Sequence, residues 1–349
     1  MPARAASRLA STLARFALAL LPLAASALAV LAVCLATARP ALAFDPPAFL
    51  LAWGSAGSGA GQFNFPHGIA IAPNGVVYVS DTANNRVQYF DASGGYLGGW
   101  GSTGTTAGKF NTATGVALDR AGTTVYVASD HRVQRFTPTG TYLGAWGGQG
   151  STAGKFQYAN GVAVDVRGHV YVTDWLNYRV QEFTGTGVFV RAWGNGQGSG
   201  PGQFGGATWI ASGPDDRLYV SDTNNNRIEV FDTTGVFITS LGSLGTGPGQ
   251  FDFPTTVSFD AAGNIYVPES GNNRMQVLAA DGTYLTEWGS AGSGPGQFNH
   301  PSGCTLDAAG NVYVLDKDNA RVQKFGPAVT ATRPASWGAL KQRYRDPAR

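Results

Sequence analysis

The chain has 349 residues, 49 of them Gly, with 43% hydrophobic residues. That Gly share is about twice the usual ~7%, and beside so much apolar content it signals many tight turns rather than disorder. The formal charge of +2 is far from the basic excess that phosphate neutralisation needs, which argues against a nucleic-acid partner.

The first predicted element is a targeting segment. Arg4, Arg8 and Arg15 precede an apolar run from Phe16 to Ala36, and Ala41-Leu42-Ala43 supplies a small-x-small cleavage pattern. Residues 1–43 therefore read as a bacterial-type signal peptide with the mature chain starting at Phe44, exported to an extracytoplasmic location. An uncleaved leader is the alternative, and the sole route by which the sequence predicts membrane attachment. Residues 1–43 hold four Arg and no acid, so the mature chain carries 20 basic against 22 acidic residues. Only Cys304 remains after cleavage, so no internal disulfide forms and packing must supply stability. Cys304 falls in an expected inner strand, where it reads as a small buried hydrophobe.

From Phe49 the chain repeats itself. A Gly-Gln/Lys-Phe triplet recurs at Phe63, Phe110, Phe156, Phe204, Phe251 and Phe298, at intervals of 46 to 48 residues. Each copy holds four apolar runs separated by turn residues. The first is short, as in Gly68-Ile69-Ala70-Ile71, and a turn such as Asn74-Gly75 follows, suited to φ > 0. The second carries Tyr78, Tyr126, Tyr171, Tyr219, Tyr266 or Tyr313. The third opens with Arg86, Arg132, Arg179, Arg227, Arg274 or Arg321. The fourth ends at Trp100, Trp146, Trp193, Leu241 or Trp288.

Four strands in about 47 residues, six times over, is the arithmetic of an all-β six-bladed β-propeller with four antiparallel strands per blade. The ring closure is also legible. Phe49 to Trp53 is a fourth strand without the preceding three, and the sixth copy ends near Phe325 before Pro327 and Pro334. The N-terminal strand is therefore expected to complete the last blade. Trp337, twelve residues past Phe325 rather than ten, fits that place less well. The propeller spans residues 44–325 and is expected to be a monomer. Residues 326–349 form a basic tail whose segment Ser336 to Arg345 reads as a sorting element or a solvated terminus.

The copies, of the form F-x-x-P-x-G-[IV]-A…G-x-[IV]-Y-V-[ST]-D-x-x-N-x-R-[IV]-x-x-F, resemble NHL repeats. The resemblance covers residues 49–325 and implies the fold. Relatives include extracellular sensor domains, interaction platforms, RNA-binding domains and the peptidyl-hydroxyglycine amidating lyases, so it leaves function open.

Candidate sites come from the repeat and from its departures. The recurring Arg residues, four of them five places after Asp81, Asp174, Asp222 or Asp316 and one after Glu269, read as structural partners of loop carboxylates and carbonyls. The residue after the Pro position is expected at the channel mouth: His67, Thr114, Asn160, Thr208, Thr255 and Ser302. In the amidating lyases, the resemblance implies, this position carries His residues that converge on zinc. Here only His67 matches, whereas catalytic zinc takes three protein ligands, so neither a metal nor a cofactor is predicted. The second copy's loop, Ser129-Asp130-His131, is two residues shorter than the others. The next copy places Trp175 and Tyr178 in its loop, and Trp209 replaces a channel-mouth Gly in the fourth. A short loop beside an aromatic one predicts a notch for a protein, peptide or glycan, with His67, His131, Asn160, Trp175, Tyr178 and Trp209 as contact candidates. The alternative is that Trp175 and Tyr178 fill the volume the short loop leaves. No nucleophile elbow or calcium loop is present in the sequence, and a divergent metal-dependent lyase or hydrolase at His67 is the rival to a binding module.

Overall fold

The structure, a computed structural model, describes residues 44–327 and the backbone of Val329 and Thr330. The leader, Trp337 and the rest of the basic tail lie outside the described residues.

Six four-stranded antiparallel sheets form the blades of a propeller. Blade 1 runs Pro66–Ile71, Val77–Asp81, Arg86–Phe90 and Tyr96–Trp100 from the axis outward, and blades 2 to 4 repeat the pattern. Blade 6 takes Pro301–Leu306, Val312–Asp316 and Arg321–Phe325 from the C-terminal end and Phe49–Trp53 from the N-terminal end. Phe49 pairs with Phe325 and Trp53 with Val322, so the strand Phe49–Trp53 closes the ring.

The second strand of each blade is buried along its whole length, as in Val77–Asp81. Both of its faces meet a neighbouring blade, which is why it reads Val-Tyr-Val rather than as a half-polar alternation. The cores accordingly lie between blades. One unites Phe63, Val77, Val79 and Phe90 of blade 1 with Tyr313, Leu315 and Val322 of blade 6, and Trp53 packs against it. The outer-strand Trp of one blade packs at an angle against the third-strand Phe of the next: Trp100 against Phe136 at 5.5 Å, Trp146 against Phe183 at 5.6 Å, Trp288 against Phe325 at 5.6 Å. Such aromatic pairs add to the area they bury.

Blade 5 departs from the expected pattern. Its inner strand is reduced to Ser258–Phe259. The reason is Pro268 in the adjoining second strand, which has no N–H to give the ladder. Thr255 N–H instead donates to Pro268 O at 3.0 Å.

Candidate functional site

In five blades the inner strand begins at one end of the channel with a bulge, between Pro66 and Ile69 in blade 1, beside one polar residue per blade. Most of these residues are spoken for. Thr114 Oγ1 donates to Asn160 O at 3.0 Å, Thr255 Oγ1 to Pro268 O at 3.2 Å, and Ser302 Oγ to Pro66 O at 3.1 Å. Thr208 Oγ1 is hydrogen-bonded to Thr223 Oγ1. The Thr114 and Ser302 hydroxyls thus tie neighbouring blades, whereas those of Thr208 and Thr255 bond within their own blades. His67 Nδ1 and Asn160 Oδ1 differ, being buried without a hydrogen-bond partner. Such atoms are rare in a finished structure and mark a place that a ligand or water completes.

Trp209 divides the channel. The equivalent residues are Gly68, Gly115, Gly161, Thr256 and Gly303. Trp209 reaches from blade 4 to the opposite blade, where its ring centroid lies 5.7 Å from that of His67, and a Cβ on Gly68 would fall 2.9 Å from its Cη2. It is 6% exposed and lines both resulting cavities. The larger, about 850 Å³, opens at the far end between the hairpins that join first and second strands. Its walls include Ile71, Val116, Leu118, Val164 and Ile210. The smaller, about 170 Å³, lies at the expected mouth and is lined by His67, Thr208, Trp209, Thr223, Thr255, Ser270, His300, Ser302 and Lys317.

The smaller cavity has a defined electrostatic character. Burial, and secondarily the Lys317 ammonium, push His67 down to about 4, so its imidazole is neutral over the physiological range. Lys317 stands over the Phe65 ring at 5.7 Å. Phe65 and Phe253 are 58% and 46% exposed, with φ of 50° and 49°. Both touch residues of the cavity wall, Phe65 through Lys317 and Phe253 through Ser270, whose Oγ donates to Phe253 O at 3.2 Å. Both precede the Pro of the F-x-x-P turn, as does His300, which lines the cavity and has φ 50°. A bulky side chain in the left-handed region is a costly arrangement. The sequence reading passed over Phe65 and Phe253. The signal was there, in Phe65-Pro66 and Phe253-Pro254, but a large apolar residue beside a strand reads as core until its backbone angle is known.

Other expected contacts sit elsewhere. Trp175 packs edge-on against Tyr158 at 5.6 Å and leans over blade 4, where a Cβ on Gly206 would lie 2.8 Å from its Nε1. Tyr178 is half-buried against the Val180, Phe204 and Phe231 cluster. Neither lines the cavity of about 190 Å³ at the shortened loop, which is formed by Gly104, Thr105, Asn111, Ser129, Asp130, His131, Arg132, Gly148 and Gln149. A notch therefore exists, with His131 in its wall, but the aromatic pair stands apart from it and fills no space there. The recurring Arg side chains bind the loops between blades. Arg86 Nε meets Asp81 Oδ2 at 2.8 Å, and its other nitrogens reach the carbonyls of Ser58, Gly59 and Gln62. Arg179, Arg227, Arg274 and Arg321 repeat the carboxylate pair. Arg132 holds only carbonyls, those of Thr105, Thr106 and Lys109. Cys304 is 3% exposed, and burial raises its thiol to about 11, which keeps it un-ionised and poorly nucleophilic at neutral pH. Among the described residues, no group of three or more His, Cys, Asp and Glu side chains is placed to hold a metal ion.

Comparison with known proteins agrees with the architecture. The NHL repeat family matches residues 63–90, 156–183 and 298–325, and a family described as a 6-bladed beta-propeller matches residues 212–273. No curated protein matches the chain. Among solved structures, a protein of unknown function from Bacteroides thetaiotaomicron superposes with a TM-score of 0.62 at 20% identity, over 78% of this chain and 74% of that one. An auxiliary nutrient binding protein from the same organism gives 0.58 at 17%, over 76% and 69%. A catalytically inactive virginiamycin B lyase from Staphylococcus aureus with quinupristin gives 0.54 at 17%, over 77% and 82%. At these identities the likeness is one of fold, and on that fold together with its repeats the chain is an NHL-repeat six-bladed β-propeller.

Proposed function

We propose that this propeller is an extracytoplasmic binding module that takes a peptide or glycan ligand at the channel mouth formed by His67, Lys317 and Trp209. The observation that carries the reading is the pair Phe65 and Phe253. Two exposed phenyl rings, each held in the left-handed backbone region, belong to residues that touch the wall of a polar cavity, Phe65 under Lys317 and Phe253 through Ser270, and that cavity contains an unpartnered imidazole nitrogen. Strain of this kind persists where function uses it, and aromatic faces beside polar groups suit sugar rings and peptide side chains. The test is a screen of the full chain against peptide and oligosaccharide arrays. Ligands bound by the wild type and lost in both Phe65→Ala and Phe253→Ala support the reading. Binding unchanged in both variants removes it.

A second reading, a metal-dependent lyase or hydrolase, has one observation in its favour: His67 and His300 line the same cavity. Metal analysis of the purified protein decides it. Near-stoichiometric zinc lost in His67→Ala would establish a metal centre at the mouth, and substoichiometric metal unaffected by that change would reject it.

A further inference from the structure

Five blades share one polar device. In blade 1 the Asp81 carboxylate receives four donors: Asn64 N–H at 2.7 Å, Asn84 Nδ2 at 2.9 Å, Arg86 Nε at 2.8 Å and Gln88 Nε2 at 3.1 Å. Asp174 and Asp316 receive the same four from their own blades. Glu269 does so as well, and Asp222 receives three of the four, with Gly206 N–H at 3.2 Å besides. Each carboxylate is fully buried, so the fold is shaped to hold an anion at this point.

Blade 2 keeps three of the four donors and lacks the anion. Ser129 pairs with Arg132 in the ladder as Asp81 pairs with Arg86, so a hydroxyl stands where the carboxylate would be. That hydroxyl turns away and donates to Asn111 O at 2.9 Å. The loop, two residues shorter, has also lost the Asn. Asn111 N–H, Arg132 Nε and the second hydrogen of Gln134 Nε2 remain, and none has a protein acceptor among the described residues. The shortened loop leaves the cavity of about 190 Å³ over this position, with Asn111, Ser129 and Arg132 in its wall. His131, whose Nδ1 is buried without a partner, lines it too.

We infer that blade 2 carries a carboxylate-binding site, in which Arg132 Nε and the Asn111 amide take a ligand's carboxylate in the place that the protein's own carboxylate fills in the other five blades. This site is distinct from the channel mouth and does not rest on the function proposed for it. The cavity admits the carboxylate and a few further atoms, which suits a short-chain carboxylic acid or the terminus of a peptide. One group opposes it: the Asp130 carboxylate lines the same cavity.

The test is a titration of the full chain, labelled with nitrogen-15, with sodium butyrate against sodium chloride at equal ionic strength. The expected result is a saturable shift of the Asn111 amide and Arg132 Nε signals with butyrate alone. Ser129→Asp supplies the missing carboxylate. It is expected to abolish the shift, weakening butyrate at least about tenfold, and to raise Tm by about 3 °C. Asp130→Asn is expected to tighten binding. Equal shifts with chloride, or butyrate binding that survives Ser129→Asp, would overturn the inference. An N-acetylated tripeptide with a free C-terminus, compared with its amide, separates the two ligand sources. Tighter binding of the acid peptide than of butyrate assigns a chain terminus, and the reverse order assigns a free small acid.

Discussion

Glu229 offers a quantitative check on this polar device. The equivalent residues are Gln88, Gln134, Gln181, Gln276 and Gln323. Their Nε2 atoms donate to an inter-blade carbonyl at 2.5 to 2.7 Å. Glu229 keeps the acceptor half of that role, receiving Gly202 N–H at 3.2 Å, and Arg227 lies 2.9 Å from the same oxygen. Its other oxygen, Oε2, stands in the donor's place and has no partner. An ionised carboxylate has nothing to donate there, but a protonated one does. Burial accordingly raises Glu229 to about 7 from 4.5, with Arg227 opposing and Asp222 reinforcing the shift. Because the folded state holds this proton more tightly than the unfolded chain, the contribution is fully present below pH 4.5. It is lost as pH rises through 7. At about 1.4 kcal/mol per unit, the loss is on the order of 3 kcal/mol. Glu229→Gln supplies a permanent donor. Urea unfolding of the two proteins should give near-equal stability at about pH 4 and a variant more stable by about 3 kcal/mol at about pH 8. A difference that does not change with pH, or a wild type the more stable at high pH, would refute the assignment of a protonated Glu229.

Further predictions concern the channel. Trp209→Ala joins the two cavities and should cost roughly 3–5 kcal/mol, read from thermal unfolding, since the ring contacts both His67 and the inner strands. Phe65→Asn and Phe253→Asn replace residues strained at φ 50° and 49° with one that tolerates the left-handed region. Each should stabilise the fold by about 1 kcal/mol while weakening the ligand at the mouth, and a loss of stability in both would show that the rings pack rather than bind. The His67 imidazole should titrate near 4 by NMR, and a value near that of a free histidine would mean that the mouth is open to water.

How far the sequence predicted all this differs by level. The blade count, the ring closure and the strand positions were legible because six copies state the same spacing, so each position is confirmed by five others. The channel was not. No composition or period reveals that Trp209 crosses the axis, since that depends on the distance between opposite inner strands, to which residues far apart in sequence contribute. Phe65 and Phe253 were missed because backbone angle, not residue type, puts them in solvent. Trp175 was expected beside the short loop of blade 2 and instead leans over blade 4, where Gly206 makes room for it.

The repeat is nonetheless a good instrument for finding sites once the structure is known. In a ring where, Trp209 apart, the blade cores form between neighbours, a local change in one copy need not disturb the others. Five copies then define what the sixth should contain, atom by atom. Ser129 for a carboxylate, Glu229 for an amide, Pro268 for a ladder donor and Trp209 for an axial Gly are each a departure from that template. Pro268 explains itself locally, because Thr255 N–H still bonds to its carbonyl. Glu229 has an internal answer in its raised pKa, which lets it carry the missing proton below about pH 7. Trp209 spans the channel and meets His67. Ser129 alone leaves donors facing an accessible cavity, and it is this lack of any internal compensation, rather than the presence of an arginine common to all six blades, that distinguishes a binding site from a structural ion pair.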